Sequence, residues 1–173
     1  PNHSPYVVAE QYGTLETLYP NRVELGLGRA PGTDMQTAAA LRRGRNSLDF
    51  PAEIAELRGY FKDCNPVSAY PSAGLNIPFY ILGSSTESAY LAAELGLPYA
   101  FASHFAPRMM EMAVEIYRKN FKPSTYLAEP YVILGVNAIV AETDKEARQL
   151  ATTQTLFFLN VVTNAQQNLQ PPM

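Results

Sequence analysis

The sequence has no tryptophan, a single cysteine and only two histidines. Cys64 has no partner with which to close an intrachain disulfide, so a reducing, cytoplasmic setting is the default expectation. His3 and His104 stand far apart, with no second cysteine nearby, which argues against a structural zinc site. A formal net charge of -3 and the lack of any basic run leave no electrostatic footprint for nucleic acid. No apolar stretch approaches the ~20 residues of a membrane-spanning helix, so no membrane partner is expected. The composition is otherwise that of a folded domain, and 173 residues can bury a sizeable core.

What is present is a rhythm. Pro5 to Tyr19 reads as a helix with Val7, Val8, Tyr12, Leu15 and Leu18 on one broad face. Pro20-Asn21 makes a turn, a strand runs from Arg22 to Leu27, and Gly28 to Thr33 is a loop. A polar helix over about 34–43 precedes a stronger one from Phe50 to Phe61, with Asp49 as cap and Pro51 in its first turn. The Pro-, Ser- and Gly-rich stretch from Asp63 to Asn76 reads as loop, with a short strand near Val67.

From there strand and helix alternate regularly. Strands are expected at Phe79–Leu82, Tyr99–Ala102 and Tyr131–Ala141. Helices are expected from a Ser84/Glu87 capping box to Gly96, from Pro107 to Asn120, and from a Thr143/Glu146 capping box to about Val161. The tail over 163–173 is expected to be mobile. Apolar strands beside amphipathic helices imply an α/β fold with a parallel sheet covered by helices. Periodicity leaves a doubly wound sheet and a (β/α) barrel equally open. Nothing marks a linker, so 1–173 is expected to be one domain.

In either architecture ligands bind at the carboxyl ends of the strands. Gly28 and Arg29 follow the first strand; Gly83, Ser84, Ser85 and Ser88 follow the second; Ser103 and His104 follow the third. A glycine lets backbone approach a ligand closely. Serines at a helix start, with its free N–H groups, favour an anion, and Arg29 adds a bidentate cation. The alternatives are a common serine cap and a surface arginine. Gly26, Gly28 and Gly32 do not make a dinucleotide fingerprint, because their spacing is wrong and no helix opens at the third. His104 is a weak candidate for an acid, a base or a donor, and no catalytic residue is assigned.

Two stretches carry a family resemblance. "HSPYVVAEQYGTLETLYPNRVELGLGRAPGTD" and "ILGSSTESAYLAAELGLPYAFASHF" resemble, in order and separation, segments of the bacterial luciferase-like flavin-dependent monooxygenases. The resemblance covers about residues 1–160 and is strongest to single-chain members. It implies a TIM barrel using reduced FMN and O2 to oxidise a small organic substrate, an aldehyde among the candidates. It implies also a flavin reductase as supplier and a homodimer. On it, Arg29 matches the arginine that meets the flavin phosphate, and Ser84, Ser85 and Ser88 match the phosphate-binding helix start. Ser84 departs from the glutamate found there in the luciferases. Ser103 falls near the flavin, and His104 and Phe105 line the same mouth. A full barrel needs about 250 residues, so this chain is expected to be a partial barrel, about strands four to seven, and inactive alone. The alternatives are F420 in place of FMN, a flavin-binding protein without turnover, and a phosphosugar-type barrel enzyme.

Overall fold

The computed structural model describes residues 3–30, 35–41, 49–163, 165 and 168–173. Helix α1 spans Pro5–Leu18, with Ser4 at its N-cap accepting from the Val7 N–H. Strand β1 is Leu25–Gly28, α2 is Met35–Leu41 and α3 is Phe50–Phe61. Then come β2 (Phe79–Gly83), α4 (Thr86–Leu95), β3 (Tyr99–Phe101), α5 (Met110–Asn120), β4 (Val132–Leu134) and α6 (Asp144–Val162). A short 3-10 turn over Pro107–Met109 leads into α5. The chain divides into two compact units, one up to Gly135 and one from Val136.

The four strands are all parallel and lie in the order β1-β2-β3-β4. A doubly wound sheet reverses its strand order at a switch point. Strands laid down in sequence order, each followed by a helix, belong to a (β/α) barrel. The register aligns Leu25 with Phe79, Ile81 with Tyr99, and Tyr99 with Val132, so these side chains share one face. That face is buried under the helices in a single cluster with Ala9, Ile54, Leu57, Ala89, Ala92, Ala113 and Tyr117. The opposite face carries Gly26, Leu82 and Ile133, all exposed. A sheet covered on one side only is a barrel wall, and the fold is a partial TIM barrel.

Several expectations needed correction. The buried stripe of α1 is Pro5, Ala9, Gly13 and Glu16, while Val7, Leu15 and Leu18 are exposed. Small residues win because the helix backbone comes very close: a Cβ on Gly13 would lie 2.6 Å from the Ser72 backbone. No strand forms near Val67, which is exposed on a run of turns. The expected strand Tyr131–Ala141 shrinks to Val132–Leu134. Its ladder ends where β3 turns away, with Gly135 N–H still donating to the Phe101 carbonyl. Past that point no strand among the described residues offers a partner. The start of the expected helix at 34–43, and its last two residues, lie outside the described residues.

The two capping boxes split. Thr143 caps α6 and accepts from the Glu146 N–H at 3.2 Å, as read. At α4 the N-cap is Ser85, one residue later than expected, and its side chain makes no cap bond. Glu87 therefore sits at the second helical position, not the third, and cannot close the reciprocal pair. In the second unit, no residue of α6 is buried, and Ile139, Leu150, Phe157 and Leu169 edge an open hollow.

Candidate functional site

Three strand ends meet at one open cleft of about 620 Å3. The size falls within the usual range for small-molecule sites. β1 delivers Gly28 and Arg29, β2 delivers Gly83, Ser84 and Ser85, and the turn after β3 delivers Ala102, His104 and Phe105. Phe50, Leu82 and Leu91 form its apolar wall. Of the residues singled out from sequence, Arg29, Gly83, Ser84, Ser85, Ser88 and His104 all line this cleft.

Their individual states differ. Arg29 is not a free cation: its guanidinium donates to the Glu87 carboxylate at 3.0 Å. Ser85 Oγ donates to the same carboxylate oxygen at 3.3 Å. Both partners of the ion pair are about two-thirds exposed, at 67% and 69%. Such a pair is worth about 0–1 kcal/mol, so Arg29 can be surrendered to another anion at small cost. Ser84, half-buried, makes no hydrogen bond with the described residues and faces the cleft.

Ser88 has a structural task as well. Its hydroxyl donates to the Ser85 carbonyl at 2.7 Å and lies 3.0 Å from the Tyr99 hydroxyl. Tyr99 donates to that same carbonyl at 3.0 Å. These contacts pin the first turn of α4 onto β3. Burial raises the Tyr99 phenol above its ordinary range, and the hydrogen bond with Ser88 opposes this. Gly83 is required beneath the triad, since a Cβ there would fall on the Ser88 side chain.

Ser103 is not brought to the cleft. Its hydroxyl donates to the Gly135 carbonyl at 2.7 Å, tying the turn after β3 to the end of β4. His104 lies edge-on to Phe105, with ring centroids 4.8 Å apart, and packs against Gly135, where an added Cβ would crowd its Nδ1. His3 lies outside this lining. Among the described residues no cluster of three or more His, Cys, Asp or Glu could hold a metal. No helix among them is long and apolar enough to cross a membrane.

Sequence reading took Glu87 as a cap and did not single out Phe50 or Leu91 as lining residues. Periodicity cannot find them: Arg29 and Glu87 are 58 residues apart in the chain.

An arginine, a helix N-terminus and an apolar wall are gathered at the strand carboxyl ends, the face at which barrel enzymes carry their sites. The whole chain places this wall more narrowly. Residues 1–172 match the model of the luciferase-like monooxygenase family, and the chain belongs to that family. It is 53% identical to the uncharacterised protein YvbT of Bacillus subtilis over all of this chain and 53% of that protein. It is 50% identical to a luciferase-like monooxygenase of Escherichia coli, again over all of this chain and 53% of the relative. The crystal structure of apo-MsnO8 superposes with a TM-score of 0.86 at 36% identity, covering 99% of this chain and 51% of that one. The chain thus spans about half the length of the relatives it matches.

Proposed function

We propose that the cleft is the phosphate end of a flavin site, and that the protein uses reduced FMN and O2 to oxidise a small organic substrate such as an aldehyde. The observation that carries this reading is the convergence of Arg29 with the Ser84–Ser85 helix start beside an apolar wall. The residues present fit a phosphorylated flavin. Arg29 offers a bidentate donor, Ser84 a hydroxyl without a partner among the described residues, and the first turn of α4 its N–H groups, uncapped by the Ser85 side chain, and its dipole. Phe50, Leu82, Leu91 and Phe105 supply the apolar surface that an isoalloxazine ring needs and that keeps water from it. When bound, reduced flavin supplies the activation of oxygen. The chain's own part is to anchor the phosphate, exclude water and hold His104 at the rim through its packing on Gly135. A flavin reductase as electron supplier, a homodimer and a cytoplasmic location belong to the same proposal and rest on the family and composition.

The test is equilibrium binding, without oxygen, of reduced FMN against reduced riboflavin, which lacks only the phosphate. FMN is expected to bind at least tenfold more tightly, and Arg29→Ala to remove most of that difference, in line with the ~1.5–3 kcal/mol of a charged hydrogen bond. Equal binding of the two flavins, or none, overturns the reading and makes F420 the next ligand to measure. Consumption of O2 with reduced FMN and an aldehyde separates a monooxygenase from a flavin carrier without turnover.

A further inference from the structure

A second cavity lies at the opposite, amino-terminal ends of the strands. It measures about 340 Å3 and is lined by Arg58, Lys62, Gly74, Asn76 and Tyr126, with Phe61, Ile77 and Phe79 behind them. Arg58, in the last turn of α3, and Lys62, its C-cap, are four residues apart, hence on one face. The Arg58 guanidinium sits 4.5 Å from the centre of the Tyr126 ring and the Lys62 ammonium 5.8 Å from it. Neither forms an ion pair with a carboxylate among the described residues, and no carboxylate lines the cavity.

One ordinary reason for cations here would be to satisfy the last carbonyls of a helix. That task is already done. The carbonyls of Arg58, Gly59, Tyr60 and Phe61 accept from the backbone N–H groups of Lys62, Cys64, Asp63 and Gly74. Two like charges are therefore held over one ring, without a carboxylate to neutralise them and without a capping role. The phenol responds to them. Burial alone would raise Tyr126, but the two cations beside it favour the phenolate and, on balance, lower its titration below 10.0. A guanidinium, an ammonium, a phenol and the Asn76 amide then border one space larger than a bare phosphate.

We propose that this cavity is an oxyanion site, distinct from the flavin cleft, that takes the phosphoryl group of a small molecule or free phosphate. Arg58 would grip two oxygens in its planar fork, Lys62 would add a point charge, and Tyr126 would form the floor. The proposal does not depend on the flavin reading, because the two cavities share no residue.

The test follows Tyr126 itself. The phenolate absorbance of the protein minus that of Tyr126→Phe isolates its titration, which is measured with inorganic phosphate, with glycerol 3-phosphate and with sodium chloride at matched ionic strength. A saturable upward shift of the Tyr126 titration by either phosphate compound, absent with chloride, is expected. The compound giving the larger shift at equal concentration distinguishes free phosphate from a phosphomonoester. Lys62→Gln, at an exposed position that cannot unfold the protein, is expected to weaken the response severalfold, and Arg58→Gln about tenfold or more. Arg29→Ala is expected to leave it unchanged. A shift that chloride reproduces, that never saturates, or that survives both α3 substitutions overturns the proposal.

Discussion

Each end of the same four strands carries an arginine beside a cavity, and the two are in opposite electrical states. At the carboxyl ends Arg29 is met by Glu87, so the cleft is close to neutral although it gathers the residues proposed to hold an anion. At the amino ends Arg58 and Lys62 stand over a tyrosine and, among the described residues, meet no carboxylate, so the cavity keeps its positive charge. The phenols record the contrast: Tyr99, behind the cleft, is raised by burial, while Tyr126, under the two cations, is lowered. Position in a barrel says where a ligand can reach. Which cations are already neutralised is a separate matter, settled by partners distant in sequence.

The sharpest way to break the comparison is Arg29→Ala, which should cost reduced FMN about 10- to 100-fold in affinity while riboflavin and the Tyr126 titration stay put. Loss at both cavities would mean that the substitution acts through the fold. Next is Gly83→Ala. Its methyl group would land on Ser88 and break the link between α4 and β3, costing about 1–3 kcal/mol in thermal or denaturant unfolding. Wild-type stability in that variant would show that the Ser85–Ser88–Tyr99 triad does not hold the cleft wall.

Glu87→Gln should act in the other direction. It removes a competitor for Arg29 and a like charge beside the phosphate, so reduced FMN should tighten about two- to fivefold, with riboflavin unaffected. Weaker FMN binding would mean that Glu87 positions Arg29 rather than competing for it.

The smallest effect separates the two phenols. Tyr99 is raised in the folded state, so its contribution is whole below 10.0 and is lost as pH climbs through the raised value. Tyr126 is lowered, so its contribution is absent below its folded value and grows as pH rises toward 10.0. Melting temperatures across alkaline pH should therefore show the wild type losing ground to Tyr99→Phe and gaining on Tyr126→Phe. Parallel curves would remove the electrical contrast between the two ends.

Much of the molecule was legible in the sequence because it is local. Pro51 marks the start of α3, where Asp49 holds the N-cap position without a side-chain cap bond; Thr143 with Glu146 marks α6, and Gly96, at φ 60, ends α4 where a left-handed residue is needed. Apolar runs gave β2 and β3, and the serines and Arg29 were placed at strand ends and did meet in one cleft. One misreading is local, the α4 cap, which falls on Ser85 rather than Ser84; the larger ones are non-local. The face of α1 was misjudged because Gly13 packs on Ser72, far along the chain. The strand after Tyr131 was drawn too long because a ladder needs a neighbour, which β3 ceases to be after Phe101. Ser103 was sent to the cleft, but its hydroxyl found the Gly135 carbonyl.

By itself the sequence determined the alternation of strand and helix, the Thr143 cap of α6, and the family, because hydrophobic period, turn chemistry and motif order are written along the chain. Only the tertiary structure decided between a doubly wound sheet and a barrel wall, since strand order and the single covered face exist only in three dimensions. It alone decided that Arg29 is paired with a carboxylate and that, among the described residues, Arg58 and Lys62 are not. Charge neutralisation depends on distance through space, and residues 58 apart in sequence can stand 3.0 Å apart in the fold.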